Sequence, residues 1–226
     1  MTVNHKPKVL IIGGHGKVAQ LAAPKLREAG ADVTSLIRNP EQQADIEKLG
    51  ATPYLADVTQ LTVEDWAQLE TQFDAVVWSA GNGGRGGEQV TIDVDQDAAL
   101  ASIHGLEQLR DQGAKVPRYV MVSYKGATQA QFDPDHDLYT YSLAKKVVDD
   151  YLNSTDLDYV ILGPAVLTDE PAAGIELVAD QPATSTDEHT SRELVAAVIA
   201  EVVTREQAPH SPVSFLDGEG VLSEIT

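Results

Sequence analysis

Lys8–Leu26 reads KVLIIGGHGKVAQLAAPKL, an apolar run that enters a cluster of glycines and leaves it as a helical pattern. Val9–Ile12 are apolar without alternation, which suits a strand covered on both faces. Beyond the glycines, Val18, Leu21, Ala22 and Leu26 fall on one helical stripe that stops at Gly30. Strand, glycine turn and helix together form the opening unit of a parallel α/β sheet.

The same alternation continues to the end of the chain. Further strands are predicted at 31–37, 51–56, 74–80, 118–123, 158–163 and 212–216. Helices are predicted at about 41–49, 63–70, 95–112, 141–153 and 191–203, the last opened by a capping box from Thr190 to Glu193. The pattern predicts a doubly wound, mostly parallel sheet with helices on both faces, formed as one domain over 1–226. Two segments break it, at about 81–94, opening with GNGGRGG, and at 164–189. Both follow carboxyl ends of strands, where ligands bind in such sheets, and both are expected to be irregular.

The turn Gly13-Gly14-His15-Gly16-Lys17-Val18-Ala19 has the spacing GxxGxxA. Gly13 permits the tight turn, Gly16 lets a pyrophosphate approach the helix N-terminus, and Ala19 allows close helix–strand packing. Gly13, His15, Gly16, Lys17 and Val18 are therefore expected to hold a dinucleotide. Arg38 ends the next strand, 22 residues beyond Gly16. An acidic residue there would bind the ribose diol of NAD, whereas arginine pairs with the 2′-phosphate of NADP. The predicted cofactor is NADP rather than NAD.

Composition narrows the partners. The 226 residues are 42% hydrophobic and 23% charged, with a net charge of −19 from 35 acidic and 16 basic residues. Such a field repels nucleic acid and anionic membranes, leaving a small-molecule substrate as the expected partner. Absence of cysteine excludes disulfides and thiol nucleophiles. The six histidines show no ligand spacing and DPDHD at 133–137 lacks the calcium-loop pattern, so no metal is predicted. No signal-like or membrane-length apolar run occurs, and a cytoplasmic protein, monomer or homodimer, is expected.

Over nearly its whole length the chain resembles atypical short-chain dehydrogenases/reductases of the NmrA-like, NAD(P)-binding Rossmann type. The likeness rests on the glycine turn, on RNP at 38–40, Asp57-Val58, Ser79-Ala80-Gly81, YSLAK at 141–145 and LDYVILGPAVLTDEP at 157–171. It implies that Asp57 and Val58 border the adenine, that Ser79, Ala80 and Gly81 run beside the ribose and nicotinamide, and that Gly163–Val166, including Pro164 and Val166, close over the nicotinamide. It also implies that Tyr141 and Lys145 are the acid/base tyrosine and its lysine, the latter also binding ribose.

The YxxxK spacing places both side chains on one helical face. A lysine cation ~4 Å away, at an effective dielectric near 20, would favour the ionised phenol by about 4 kcal/mol. Tyr139 is nearby, but only Tyr141 has the spacing to Lys145. The family pattern is broken at Val122-Ser123-Tyr124-Lys125, where Tyr124 stands in the usual place of a substrate-orienting serine. Ser123 could serve from one residue earlier, although neighbouring strand residues point to opposite faces. The resemblance implies an NADP-dependent oxidoreductase acting on a small carbonyl or alcohol, or a related epimerase. The broken triad leaves open a non-catalytic NADP(H)-binding redox sensor.

Overall fold

A computed structural model describes residues 6–81, 83, 86–183, 185 and 187–226. Its main sheet has eight strands in the order β3-β2-β1-β4-β5-β6-β10-β8. These are β1 (Lys8–Ile12), β2 (Asp32–Ile37), β3 (Thr52–Leu55), β4 (Ala75–Trp78), β5 (Arg118–Val122), β6 (Tyr159–Pro164), β8 (Ile175–Leu177) and β10 (Val213–Asp217). All neighbours run parallel except β8, which pairs antiparallel with β10 as Phe215 opposite Leu177. A separate parallel pair joins β7 (Val166–Thr168) to β9 (His189–Ser191). Strand order reverses beside β1, which lies between β2 and β4. The crevice expected at such a switch point opens at the carboxyl ends of these strands.

Burial of β1 on both faces explains its unbroken apolar run. Val9 and Ile11 enter one core, with Ala22 and Leu26 of α1 (Lys17–Glu28) and Val195, Ile199 and Val202 of α7 (Arg192–Thr204). Leu10 and Ile12 enter the other, with Trp66 of α3 (Val63–Glu70), Ile103 and Leu106 of α5 (Ala99–Asp111), and Val148 and Leu152 of α6 (Tyr139–Asn153). All four β1 side chains are fully buried, each contributing about 1.5–3 kcal/mol of transfer free energy. Removing one would cost about 2–5 kcal/mol.

Several boundaries differ from the sequence reading. Leu21, expected on the buried stripe of α1, is exposed, and the small Ala19 and Ala23 make the inner face. The helix expected at 95–112 begins earlier, as α4 (Glu88–Thr91), passes through a π-helical stretch over Ile92–Ala98 and continues as α5. The segment 164–189 holds β7 and β8 and is therefore only partly irregular. Thr190 does not cap α7. Its hydroxyl donates to the Phe215 carbonyl and accepts from Ala165 N, while Ser191 provides the cap by accepting from Leu194 N at 3.1 Å. Asn82, Gly84 and Arg85, within GNGGRGG, lie outside the described residues. Among the described residues no helix is long and apolar enough to cross a membrane.

Candidate functional site

The glycine turn is pinned between strand ends. Gly14 N donates to the Leu36 carbonyl at 2.8 Å, and Ser79 N donates to the Ile12 carbonyl at 3.0 Å. Gly13 has φ +80°, and a Cβ there would lie 2.6 Å from Ala80 Cα. A Cβ on Gly14 would lie 2.5 Å from Ser35 Cβ. Gly16 differs from both. Its φ is −66°, and an added Cβ would have only the Gly13 carbonyl close by, at 3.1 Å. Gly13 and Gly14 are thus required by the fold, while Gly16 keeps the approach to the helix clear.

That approach leads into a cavity of about 350 Å³, lined by Gly13, His15, Gly16, Arg38, Asp57 and Val58, and by Ser79, Ala80 and Gly81 at the end of β4. Gly14, Gln42, Val90 and Val94 complete much of the wall. Gly16 caps α1 with no side-chain hydrogen bond, and the first turn contains no acidic residue. Its backbone N–H groups therefore face an anion without competition from a cap. Arg38 is exposed at the cavity and has no ion pair or hydrogen bond among the described residues. Asp57 is held in place, its carboxylate accepting from Thr59 N at 3.0 Å and Thr59 Oγ1 at 2.8 Å. A cleft of this shape, with a helix N-terminus opening at one wall and the exposed Arg38 at another, fits a dinucleotide.

Four residues expected to touch the cofactor do not line this cavity. Lys17 Nζ pairs with Asp169 at 2.7 Å, and Asp169 also pairs with Arg192 at 2.7 Å. In a chain this acidic, an exposed lysine finds a carboxylate readily. The Val18 side chain belongs to the core, leaving only its backbone toward the turn. Pro164 and Val166 line a second cavity of about 430 Å³, together with Tyr124, Phe132, Leu138 and Tyr141.

α6 carries Tyr141, Lys145 and Asp149 at successive four-residue intervals, hence on one face. The Tyr124 and Tyr141 rings stack at 6.0 Å with planes 26° apart, and Tyr124 Oη lies 2.8 Å from Ser142 Oγ. Burial pushes the Tyr141 phenol well above the ordinary tyrosine range, and the nearby Asp95, Tyr124 and Asp149 push it further. The expected lowering by Lys145 is absent. Lys145 is 2% exposed and its Nζ donates to the Val122 carbonyl at 2.8 Å, lining neither cavity. Ser123 likewise lines neither cavity. Its buried hydroxyl donates to Asp149, while Tyr124, one residue on, lines the second. The alternation of side chains along the strand end accounts for both placements.

Two carboxylates at the site were not singled out from the sequence. Asp149 is 1% exposed, and burial pushes its carboxyl up to about 6 despite Lys145 and the Ser123 hydrogen bond. Its spacing from Lys145 was legible, but its burial was not. Asp95, also buried, lies in the π-helical stretch beneath Gly81, where a Cβ would come within 2.5 Å of its Oδ1. Asp95 thus packs against the wall of the first cavity and also acts on the Tyr141 phenol of the second.

Comparison with known proteins agrees with this cleft. A UPF0659 protein of Schizosaccharomyces pombe is 31% identical over 227 residues, spanning 92% of this chain and 89% of its own. The uncharacterized sugar epimerase YhfK of Bacillus subtilis is 30% identical over 168 residues, spanning 74% of this chain and 75% of its own. A Bacillus halodurans structure, provisionally described as an NAD-dependent epimerase/dehydratase, superposes with a TM-score of 0.82 at 27% identity, over 97% of this chain and 98% of its own. The profile of the family described as NAD(P)H-binding matches residues 13–206, spanning the glycine turn, Arg38, the β4 end and α6, and the chain belongs to that family.

Proposed function

We propose that the protein is an NADP-dependent oxidoreductase that reduces a small carbonyl compound, with Tyr141 as proton donor. The observation that carries this reading is the pair of cavities at the carboxyl ends of the strands: a cleft at the glycine turn with Arg38 exposed on its wall, and a second cavity lined by Tyr141.

The turn at Gly13–Gly16 and the first-turn N–H groups of α1 would hold the pyrophosphate, and Arg38 the 2′-phosphate. Charge-assisted hydrogen bonds of this kind contribute about 1.5–3 kcal/mol. A nicotinamide nucleotide supplies hydride chemistry when bound. Tyr141 keeps its proton at neutral pH because burial and three surrounding groups all disfavour the phenolate. The protonated phenol is the form that can give a proton to a carbonyl oxygen, whereas taking one from an alcohol needs the phenolate that these surroundings disfavour. Asp95 and Asp149, both carboxylates, reinforce the protonated form. Lys145, buried below, orients the helix face through Val122 and offsets Asp149.

The second reading, a non-catalytic NADP(H) sensor, draws support from Tyr124 in place of serine and from Ser123 facing Asp149. Calorimetry and NADPH-consumption assays separate the two. Wild type is expected to bind NADPH more tightly than NADH, and Arg38→Asp to lose tenfold or more in NADPH affinity; equal affinity for both nucleotides in wild type would refute the phosphate assignment. Turnover of a carbonyl that Tyr141→Phe abolishes supports the enzyme. Tight binding with no turnover across aldehydes and ketones supports the sensor.

A further inference from the structure

The second cavity differs from the first in chemistry. Its walls are Phe132, Leu138, Pro164, Ala165, Val166 and the stacked Tyr124–Tyr141 pair. Phe132 is itself braced by His136, the ring centroids lying 4.9 Å apart. At the rim, Leu138 is 40% and Val166 64% exposed, so the apolar surface continues to the mouth. Lys125, the one cation on the wall among the described residues, is already paired with Glu188 at 2.9 Å and donates to the Gln181 carbonyl at 2.7 Å. Ser142 and Tyr124 are bonded to each other. Of the hydroxyls on this wall, that leaves the Tyr141 phenol, which has no hydrogen bond among the described residues.

A sugar ring would bury several hydroxyls against such walls. Each hydroxyl left unpaired costs roughly 1–3 kcal/mol, and the Tyr141 phenol and the Gln131 amide on this wall offer too few partners for a ring of them. A flat apolar molecule meets no such cost and gains from stacking on aromatic faces. Size points the same way. A cavity of roughly 150 Å³ holds one benzene, so about 430 Å³ admits a nicotinamide-sized ring beside a two-ring substrate.

Resting on the reductase reading above, we infer that the substrate of this site is a planar, largely apolar aromatic carbonyl compound and not a sugar or sugar nucleotide. Its single carbonyl oxygen meets the Tyr141 phenol, and its rings lie against Tyr124, Phe132 and Val166. The step is a two-electron reduction: hydride from the reduced nicotinamide forms a C–H bond at the carbonyl carbon, and the Tyr141 proton forms the O–H bond, giving an alcohol and the oxidised nucleotide.

The experiment titrates NADPH-saturated protein with 2-naphthol, as a non-reducible probe, and with UDP-glucose, then assays NADPH oxidation with 2-naphthaldehyde and with glucose. 2-Naphthol is expected to bind at least tenfold more tightly than UDP-glucose. Leu138→Asp, at a 40% exposed position, and Phe132→Ala are each expected to weaken it tenfold or more while NADPH affinity stays within twofold. UDP-glucose binding as tightly as 2-naphthol, no 2-naphthol binding below millimolar, or unchanged affinity in both variants overturns the inference. Selective 2-naphthol binding without 2-naphthaldehyde reduction keeps the substrate class and refutes the reductase reading. Glucose-dependent NADPH oxidation without 2-naphthol binding does the reverse.

Discussion

Replacing Asp149 by asparagine is expected to stabilise the protein at neutral pH and to change it little in acid. The carboxyl is 1% exposed and faces Lys145 on its own helix and Ser123 just past β5, while Asp150 and Asp180 add negative charge and Tyr124 lies across a small gap. One oxygen, Oδ1, meets no hydrogen-bond partner. Burial is the largest influence and carries the carboxyl from 3.8 up to about 6. The unfolded chain releases this proton near 3.8 and the folded chain near 6, so the folded state holds the extra proton in between. Stability therefore falls as pH rises through that window. At about 1.36 kcal/mol per pH unit the interval is worth about 3 kcal/mol, fully developed by about pH 7 and about half developed at about pH 5.

Asparagine keeps an acceptor for Ser123 and carries no charge, so it stands in for the protonated acid. For a chain of this size, about 3 kcal/mol raises the melting temperature by roughly 6–12 °C. Thermal and urea unfolding of wild type and Asp149→Asn at matched ionic strength, in acid and at neutral pH, measures the difference directly. A difference that does not grow with pH would refute the reasoning. So would a variant less stable than wild type at neutral pH, since the Lys145–Asp149 attraction would then outweigh the cost of burying the carboxylate.

The glycine turn yields a paired expectation. Gly13→Ala forces a Cβ against the Ala80 backbone at positive φ and is expected to destabilise the fold by more than about 1 kcal/mol, read as a lower melting temperature. Gly16→Ala, unstrained at φ −66°, is expected to fold normally yet bind NADPH at least tenfold more weakly in calorimetry, because its methyl group fills the approach to the helix. Lys17→Ala is expected to leave NADPH affinity within twofold, because Lys17 pairs with Asp169 away from the cleft. A large loss would restore it as a phosphate contact.

The alternation of apolar runs and amphipathic helices was enough to place β1, α1 and the later βα units, because a strand buried on both faces must be apolar throughout. The same reading located the cleft, since the carboxyl ends of parallel strands share one edge and bring Gly13, Arg38 and Ser79 together. It failed where no periodicity exists. β7 and β8 are three residues each, too short for a pattern, and their partners are distant in the chain. The cap on α7 went to Ser191 and not Thr190, because Thr190 was drawn to the Phe215 carbonyl.

Local sequence also could not set the electrostatics around Tyr141. Spacing put Tyr141 and Lys145 on one face of α6, and from that alone a lowered phenol was expected. The tertiary structure brought Asp95 from beneath Gly81, Tyr124 from the end of β5 and Asp149 from the next turn of α6, and turned Lys145 toward Val122. The sequence determined the seven parallel strands of the sheet, the glycine turn and the cation beyond β2, because backbone conformation and burial of nearby residues dictate them. Only the packed structure decided that Tyr141 holds its proton and that the cavity beside it is apolar, because both depend on which side chains from distant segments exclude water there.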